Sequence, residues 1–86
     1  MRYEIHHTAR KHGIADDDIL HAIENALAVD EYEDDDRVLY LGPDRAANLL
    51  EVITLAIDEE VEIVIHAMPM LPKYRSLLRG HGESDA

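Results

Sequence analysis

The stretch EIVIHAMPMLPKY, residues 62–74, decides how this chain is read. From Val61 to Ala67 the residues are mostly aliphatic and β-branched, which predicts a strand, and Pro69 and Pro72 supply its stop. A strand places alternate side chains on opposite faces. Val61, Ile63, Ile65 and Ala67 are therefore expected on one face, with Glu62, Val64 and His66 on the other. His66 would then point away from the more apolar face, onto a partly polar one where a ligand can lie. The following PKYRSLLRG, residues 72–80, is long enough for one short helix.

Working outward, RVLYLG (37–42) and ANLLEVITLAI (47–57) have the same strand character, joined by the turn GPDR (42–45) and followed by the acidic turn DEE (58–60). Three consecutive strands with short polar connections predict an antiparallel meander. Upstream, ADDDILHAIENALAV (15–29) is the main helix. Ile19, Ala22, Ile23 and Ala26 recur at helical spacing, Leu20 and Leu27 widen the stripe, three aspartates suit the positive end of the helix dipole, and Asp16 is the expected N-cap. RYEIHHTARKHGI (2–14) starts extended, as a candidate fourth strand, and passes through a basic helical turn to Gly13, a stop residue. The expected class is α+β: a small antiparallel sheet packed against one main helix, with a short C-terminal helix. Residues 1–80 are expected to form one domain and 81–86 a polar tail.

Composition narrows the class. Hydrophobic residues make up 47% of the 86, with no Phe or Trp, so the core must come from Leu, Ile, Val, Ala and Tyr. No cysteine is present, which rules out disulfides and thiolate metal sites and suits a reducing compartment. With no apolar run near the ~20 residues of a membrane helix and no signal-peptide pattern, a cytoplasmic location is expected. Eight Lys and Arg against nineteen Asp and Glu give a net charge of −11, which opposes non-specific attraction to a phosphate backbone. The charge is segregated, however. Acids concentrate at 16–18, 30–36 and 58–60, whereas RKH (10–12) and KYRSLLR (73–79) hold five of the eight basic residues. Solvated helix faces account for such islands as readily as a binding groove does.

The chain has no GxGxxG, Walker loop, HExxH or nucleophile elbow. No cofactor is expected. The histidines lack ligand-like spacing, because adjacent His6 and His7 would diverge in a regular element and nothing pairs His12 with His21, so no metal site is expected either. His66 is the sharper candidate. An imidazole titrates near neutrality and serves as general acid or base, and a strand end gives it rigid support. Lys73, Tyr74 and Arg75 follow closely, and Arg10, Lys11 and His12 form the other basic island. Together they supply what metal-free RNA cleavage requires: a group to activate the 2′-hydroxyl, one to protonate the leaving oxygen, cations for the phosphate, and a ring for stacking. The competing reading makes His66 a strand-end histidine bonded to Glu62 or Glu51, with Tyr74 capping the core.

The order of segments carries a family resemblance. ARKHGI, then an acidic amphipathic helix, then RVLYLG, NLLEVITL and EIVIHAMP with a closing KY, resembles the BrnT-like toxins, small members of the wider RelE/ParE group of bacterial toxin–antitoxin systems. The resemblance covers roughly residues 9–75. Lys11 and His12 match the family's KHG turn, Arg37 its strand-leading arginine, and Tyr74 its late tyrosine. Where the family's last strand ends in Ser-Ala-Arg, this chain has His66, Ala67 and Met68. Members are also usually basic.

The resemblance implies a RelE-like fold and the toxin of a type II toxin–antitoxin system, cleaving mRNA either on the ribosome or free, and neutralised by a cognate antitoxin. His66, Lys73, Tyr74 and Arg75 are the expected catalytic set, and Arg10, Lys11, His12, Arg37 and Arg79 the expected RNA-binding set. The alternative is a non-catalytic protein-interaction module of the same fold. A homodimer is compatible with either, and no membrane partner is expected.

Overall fold

The structure, a computed structural model, describes residues 1–82, with side chains described through Leu78. Five strands form a single mixed sheet: β1 (Arg2–Ile5), β2 (Ala28–Glu31), β3 (Arg37–Pro43), β4 (Leu49–Ala56) and β5 (Val61–Pro69), in the order β1-β5-β4-β3-β2. The expected meander is β3–β4–β5. β1 adds the N-terminal strand and runs parallel to β5, so the sheet is mixed rather than antiparallel throughout. Two helices, α1 (Asp16–Glu24) and α2 (Arg75–Gly82), and two 3-10 turns, His7–Arg10 and Pro72–Tyr74, complete the fold. None of these helices is long and apolar enough to cross a membrane.

β2 is an addition to the expected fold, formed from residues read as the end of the main helix and the start of an acidic loop. The helix expected over 15–29 stops at Glu24, capped by Asn25, whose side-chain amide donates to the His21 carbonyl at 3.0 Å. Leu27 N–H then donates to the Leu41 carbonyl at 2.7 Å, and the chain continues as an edge strand on β3. Helical periodicity at Ala26 and Leu27 loses here to sheet hydrogen bonding, a tertiary override of a local preference. The helix start also differs from expectation. Ala15 is the N-cap, without a side-chain cap, and Asp16 is the first helical residue, bonded instead to Arg10.

The sheet has two covered faces. On one, Ile19, Ala22 and Ile23 of α1 pack on Val38, Tyr40, Leu50, Val52, Val64 and Ala67. Gly42 makes that approach feasible, since a Cβ there would overlap the Ala22 carbonyl oxygen and sit 3.0 Å from Ala26 Cα. The His21 ring, 2.8 Å from the Pro43 carbonyl, and Asp18, which accepts Arg45 N–H at 3.0 Å, tie α1 to the end of β3 and the turn beyond it. On the opposite face, Tyr74, Leu77 and Leu78 pack with Met70 and Ile53 against Ala28, Leu39 and Leu41.

β5 departs from simple alternation. Thr54 pairs with Val64 but Ile53 pairs with His66, which leaves Ile65 as an extra residue, a β-bulge. The bulge reverses the expected faces halfway along the strand. Glu62, Val64 and Ala67 lie on the α1 side, while Ile63, His66 and Met68 pair with Leu55, Ile53 and Glu51 on the α2 side. Glu62 and His66, expected to share a face, are therefore on opposite ones. Glu62 is buried and accepts the Tyr40 hydroxyl at 2.7 Å and the Thr54 hydroxyl at 2.8 Å. A buried carboxylate needs such donors, because removing it from water without them costs several kcal/mol or about that order. Burial first, and then the bond to Glu62, push the Tyr40 phenol far above its ordinary range.

Candidate active site

The bulge aims His66 at Glu51. The two residues lie on neighbouring strands with one residue pair between them, and His66 Nε2 is 3.0 Å from Glu51 Oε2, within hydrogen-bond distance. The Glu51 side of the pair is 3% exposed, whereas the His66 side chain is 30% exposed, so the imidazole has one anchored edge and one open edge. Glu51 also accepts the Leu71 backbone N–H through Oε1 at 2.9 Å. His66, expected at a strand end, is the sixth of the nine residues of β5, and one buried carboxylate binds both it and the connection that leads to Lys73, Tyr74 and α2.

His12 arrives from the other end of the chain. β1 covers the edge of β5 only as far as Val64, after which the 3-10 turn His7–Arg10 takes over, with the Thr8 hydroxyl donating to the carbonyl of the bulge residue Ile65 at 2.9 Å. Gly13, with φ at +76°, turns the chain toward α1. That path leaves the His12 ring edge-on to His66, with centroids 5.9 Å apart and planes at 80°. Two exposed or half-exposed imidazoles and a buried carboxylate therefore meet at one end of the sheet.

The basic residues sort into two groups. Arg2, Arg10, Arg37 and Arg45 are each in an ion pair, with Glu4, Asp16, Asp35 and the pair Asp17 and Asp18 respectively. Hydrogen bonds from Arg10 and Arg45 hold the Asp16 and Asp18 carboxyls below the usual carboxylate range, and the Arg37 backbone N–H does the same for Asp35. Lys11, Lys73 and Arg75 have no ion-pair partner among the described residues. Lys11 precedes His12 in the chain, and Lys73 and Arg75 follow the Leu71 N–H that Glu51 holds.

Of the expected catalytic set, His66 is held on β5 by Glu51, Lys73 and Tyr74 fall in the 3-10 turn that follows the Glu51-held Leu71 N–H, and Arg75 opens α2; the Tyr74 ring packs partly into the second core cluster with Lys73 Nζ 5.1 Å from its centroid. Of the expected RNA-binding set, His12 lies edge-on to His66 and Lys11 precedes it in the chain. Arg10 is turned toward Asp16, and Arg37 sits two strands away, over the Tyr32 ring and beside a shallow depression lined by Asp35, Asp36 and Ala56. The Arg79 side chain lies outside the described residues. His6 and His7, expected to diverge, instead stack at 4.2 Å, because they fall at the junction of β1 and a 3-10 turn rather than within one element. Among the described residues no three His, Asp or Glu side chains converge as metal ligands. The Glu51–His66 bond and the core packing of Tyr74 are what the competing structural reading of His66 expects; what the sequence did not show is His12 beside that pair. Glu51 was visible as an acid interrupting an apolar strand, the signal that marks a buried partner.

No family model and no curated protein matches this chain. Its structure is similar to the crystal structure of the Brucella abortus ribonuclease toxin BrnT, with a TM-score of 0.64 and 19% sequence identity, over 83% of this chain and 97% of that one. At that identity the likeness speaks for architecture, and this chain has a BrnT-like fold.

Proposed function

We propose that the protein is a metal-independent endoribonuclease toxin of a type II toxin–antitoxin system, a member of the RelE/ParE superfamily that cleaves mRNA in the cytoplasm of a bacterium and is neutralised by a cognate antitoxin. The observation that carries this reading is the contact of His12 with the Glu51-held His66. The toxin identity draws on the shared fold with a ribonuclease toxin.

In this mechanism His66 takes the proton of the 2′-hydroxyl, whose oxygen attacks the adjacent phosphorus. The bond from phosphorus to the 5′-oxygen breaks, and protonated His12 supplies the leaving oxygen with its proton. Lys11, Lys73 and Arg75 offset the charge that builds on the phosphate oxygens, and Tyr74 shapes the groove that receives a base. The products are a 2′,3′-cyclic phosphate and a 5′-hydroxyl. Met68 stands where the family pattern has an arginine, and His66, two residues before it, supplies an ionisable group of this strand in its stead.

A second reading, a non-catalytic interaction module, is favoured by a different observation. Among the described residues no strand pairs with the outer side of β2, and Val29, Asp30 and Glu31 along it are exposed. Such an edge is a ready template for another chain, including a second copy or the antitoxin.

Controlled expression in a bacterial host separates the two. The nuclease reading expects growth arrest with loss of mRNA, relieved by His66→Ala, which should lower cleavage at least ~100-fold, and by Lys73→Ala. Normal growth at good expression of folded protein would count against it.

A further inference from the structure

We propose that Glu51 is a positioning residue that fixes His66 in the Nε2–H form, so that Nδ1 is the nitrogen presented to substrate, and that the same carboxylate anchors the start of the segment that carries Lys73. The catalytic consequence rests on the nuclease reading above; the tautomer does not.

Three observations converge on it. Glu51 is an acid at 3% exposure in the middle of a strand whose neighbours Leu50 and Val52 are core residues. Both of its oxygens are used, Oε2 by His66 Nε2 and Oε1 by the Leu71 N–H, so its orientation is set from two directions. A carboxylate accepts but does not donate, so the neutral imidazole must carry its proton on Nε2. His66 Nδ1 has no hydrogen-bond partner among the described residues, and the ring keeps 30% of its surface exposed. The unprotonated nitrogen is thus the open one, as a general base requires.

The Leu71 contact adds a geometric link. Leu71 is the N-cap of the 3-10 turn Pro72–Tyr74, in extended conformation and without a side-chain cap of its own. Its N–H anchors the start of the segment that carries Lys73 and Arg75. A purely structural role would need only that anchor, and His66 would then be free to take either tautomer.

Glu51→Gln separates the roles. The glutamine carbonyl can still accept the Leu71 N–H, but its amide donates where the carboxylate accepted, which forces His66 Nε2 to become the acceptor and moves the proton to Nδ1. Nitrogen-15 spectra of the imidazole at alkaline pH, where it is neutral, read this directly in the intact protein. The expected result is Nε2–H in the wild type and Nδ1–H in folded Glu51→Gln, with RNA cleavage lowered at least ~100-fold because the open nitrogen can no longer take a proton. Nδ1–H in the wild type overturns the proposal, whether or not the variant folds. An unchanged tautomer in the variant overturns it too, as does full cleavage by Glu51→Gln alongside an inactive His66→Ala. If the wild type cleaves no RNA while the tautomer moves as expected, the nuclease reading fails and the positioning of His66 stands.

Discussion

Tyr40 and Glu62 illustrate how far single residues constrain this fold. The Tyr40 hydroxyl donates to a carboxylate that it shares with Thr54, inside the cluster beneath α1. Replacing it with Phe removes a charge-assisted bond and leaves Glu62 with one hydroxyl donor, so Tyr40→Phe is expected to cost about 2 kcal/mol in denaturant unfolding. The same pair sets an alkaline limit. Because the folded-state phenol is shifted upward, mainly by burial, its contribution is intact below the ordinary tyrosine pKa near ~10 and is lost as pH rises beyond it, where the unfolded chain ionises and the folded one does not. The melting temperature should therefore fall above that pH, and the fall should be shallower in Tyr40→Phe. His66 as a candidate was legible as a lone imidazole in an apolar strand, although that strand runs on through Pro69 rather than ending at the histidine. Its partner was legible only as a choice between Glu62 and Glu51. The bulge decided between them, and a one-residue shift in strand phase leaves no mark in a run as uniformly apolar as IVIHA.

Among the elements, α1 and β3 are fitted most closely. Gly42 lies under Ala22 and Ala26, and a methyl group there has no room without moving the helix. Gly42→Ala is expected to destabilise by about 3 kcal/mol, measured by chemical denaturation, whereas a loss under about 0.5 kcal/mol would show that α1 does not seat on β3 as described. Strands β3, β4 and β5 were legible because their aliphatic runs are long and bounded by turn residues. The length of α1 and the existence of β2 were not. Residues 25–31 hold an acceptable helical periodicity, and only the free edge of β3, a feature of the assembled sheet, recruits them as a strand. The parallel pairing of β1 with β5 likewise depends on partners about 60 residues apart, beyond the reach of local pattern.

For the whole molecule, charge is the governing quantity. A net charge of −11 on 86 residues makes the compact state repel itself, and the ion pairs of Arg2, Arg10, Arg37 and Arg45 are exposed and individually weak. Added salt shortens the screening length from ~30 Å at 10 mM to ~8 Å at physiological strength, so the melting temperature should rise with sodium chloride; a flat or falling curve would mean that local ion pairs outweigh the net repulsion. The same field opposes RNA, which is why the nuclease account depends on Lys11, Lys73 and Arg75, which have no ion-pair partner among the described residues, rather than on overall attraction. Their segregation was visible in sequence, but which basic residues are neutralised by neighbours emerges only from the folded contacts. The most direct test of the account is incubation of the purified protein with end-labelled single-stranded RNA in the presence of a metal chelator, beside His12→Ala and His66→Ala. Cleavage that leaves 2′,3′-cyclic phosphate ends and is lost in both variants is the predicted result. Intact RNA with the folded wild type, or cleavage that survives either substitution, would contradict a catalytic site built on the two histidines.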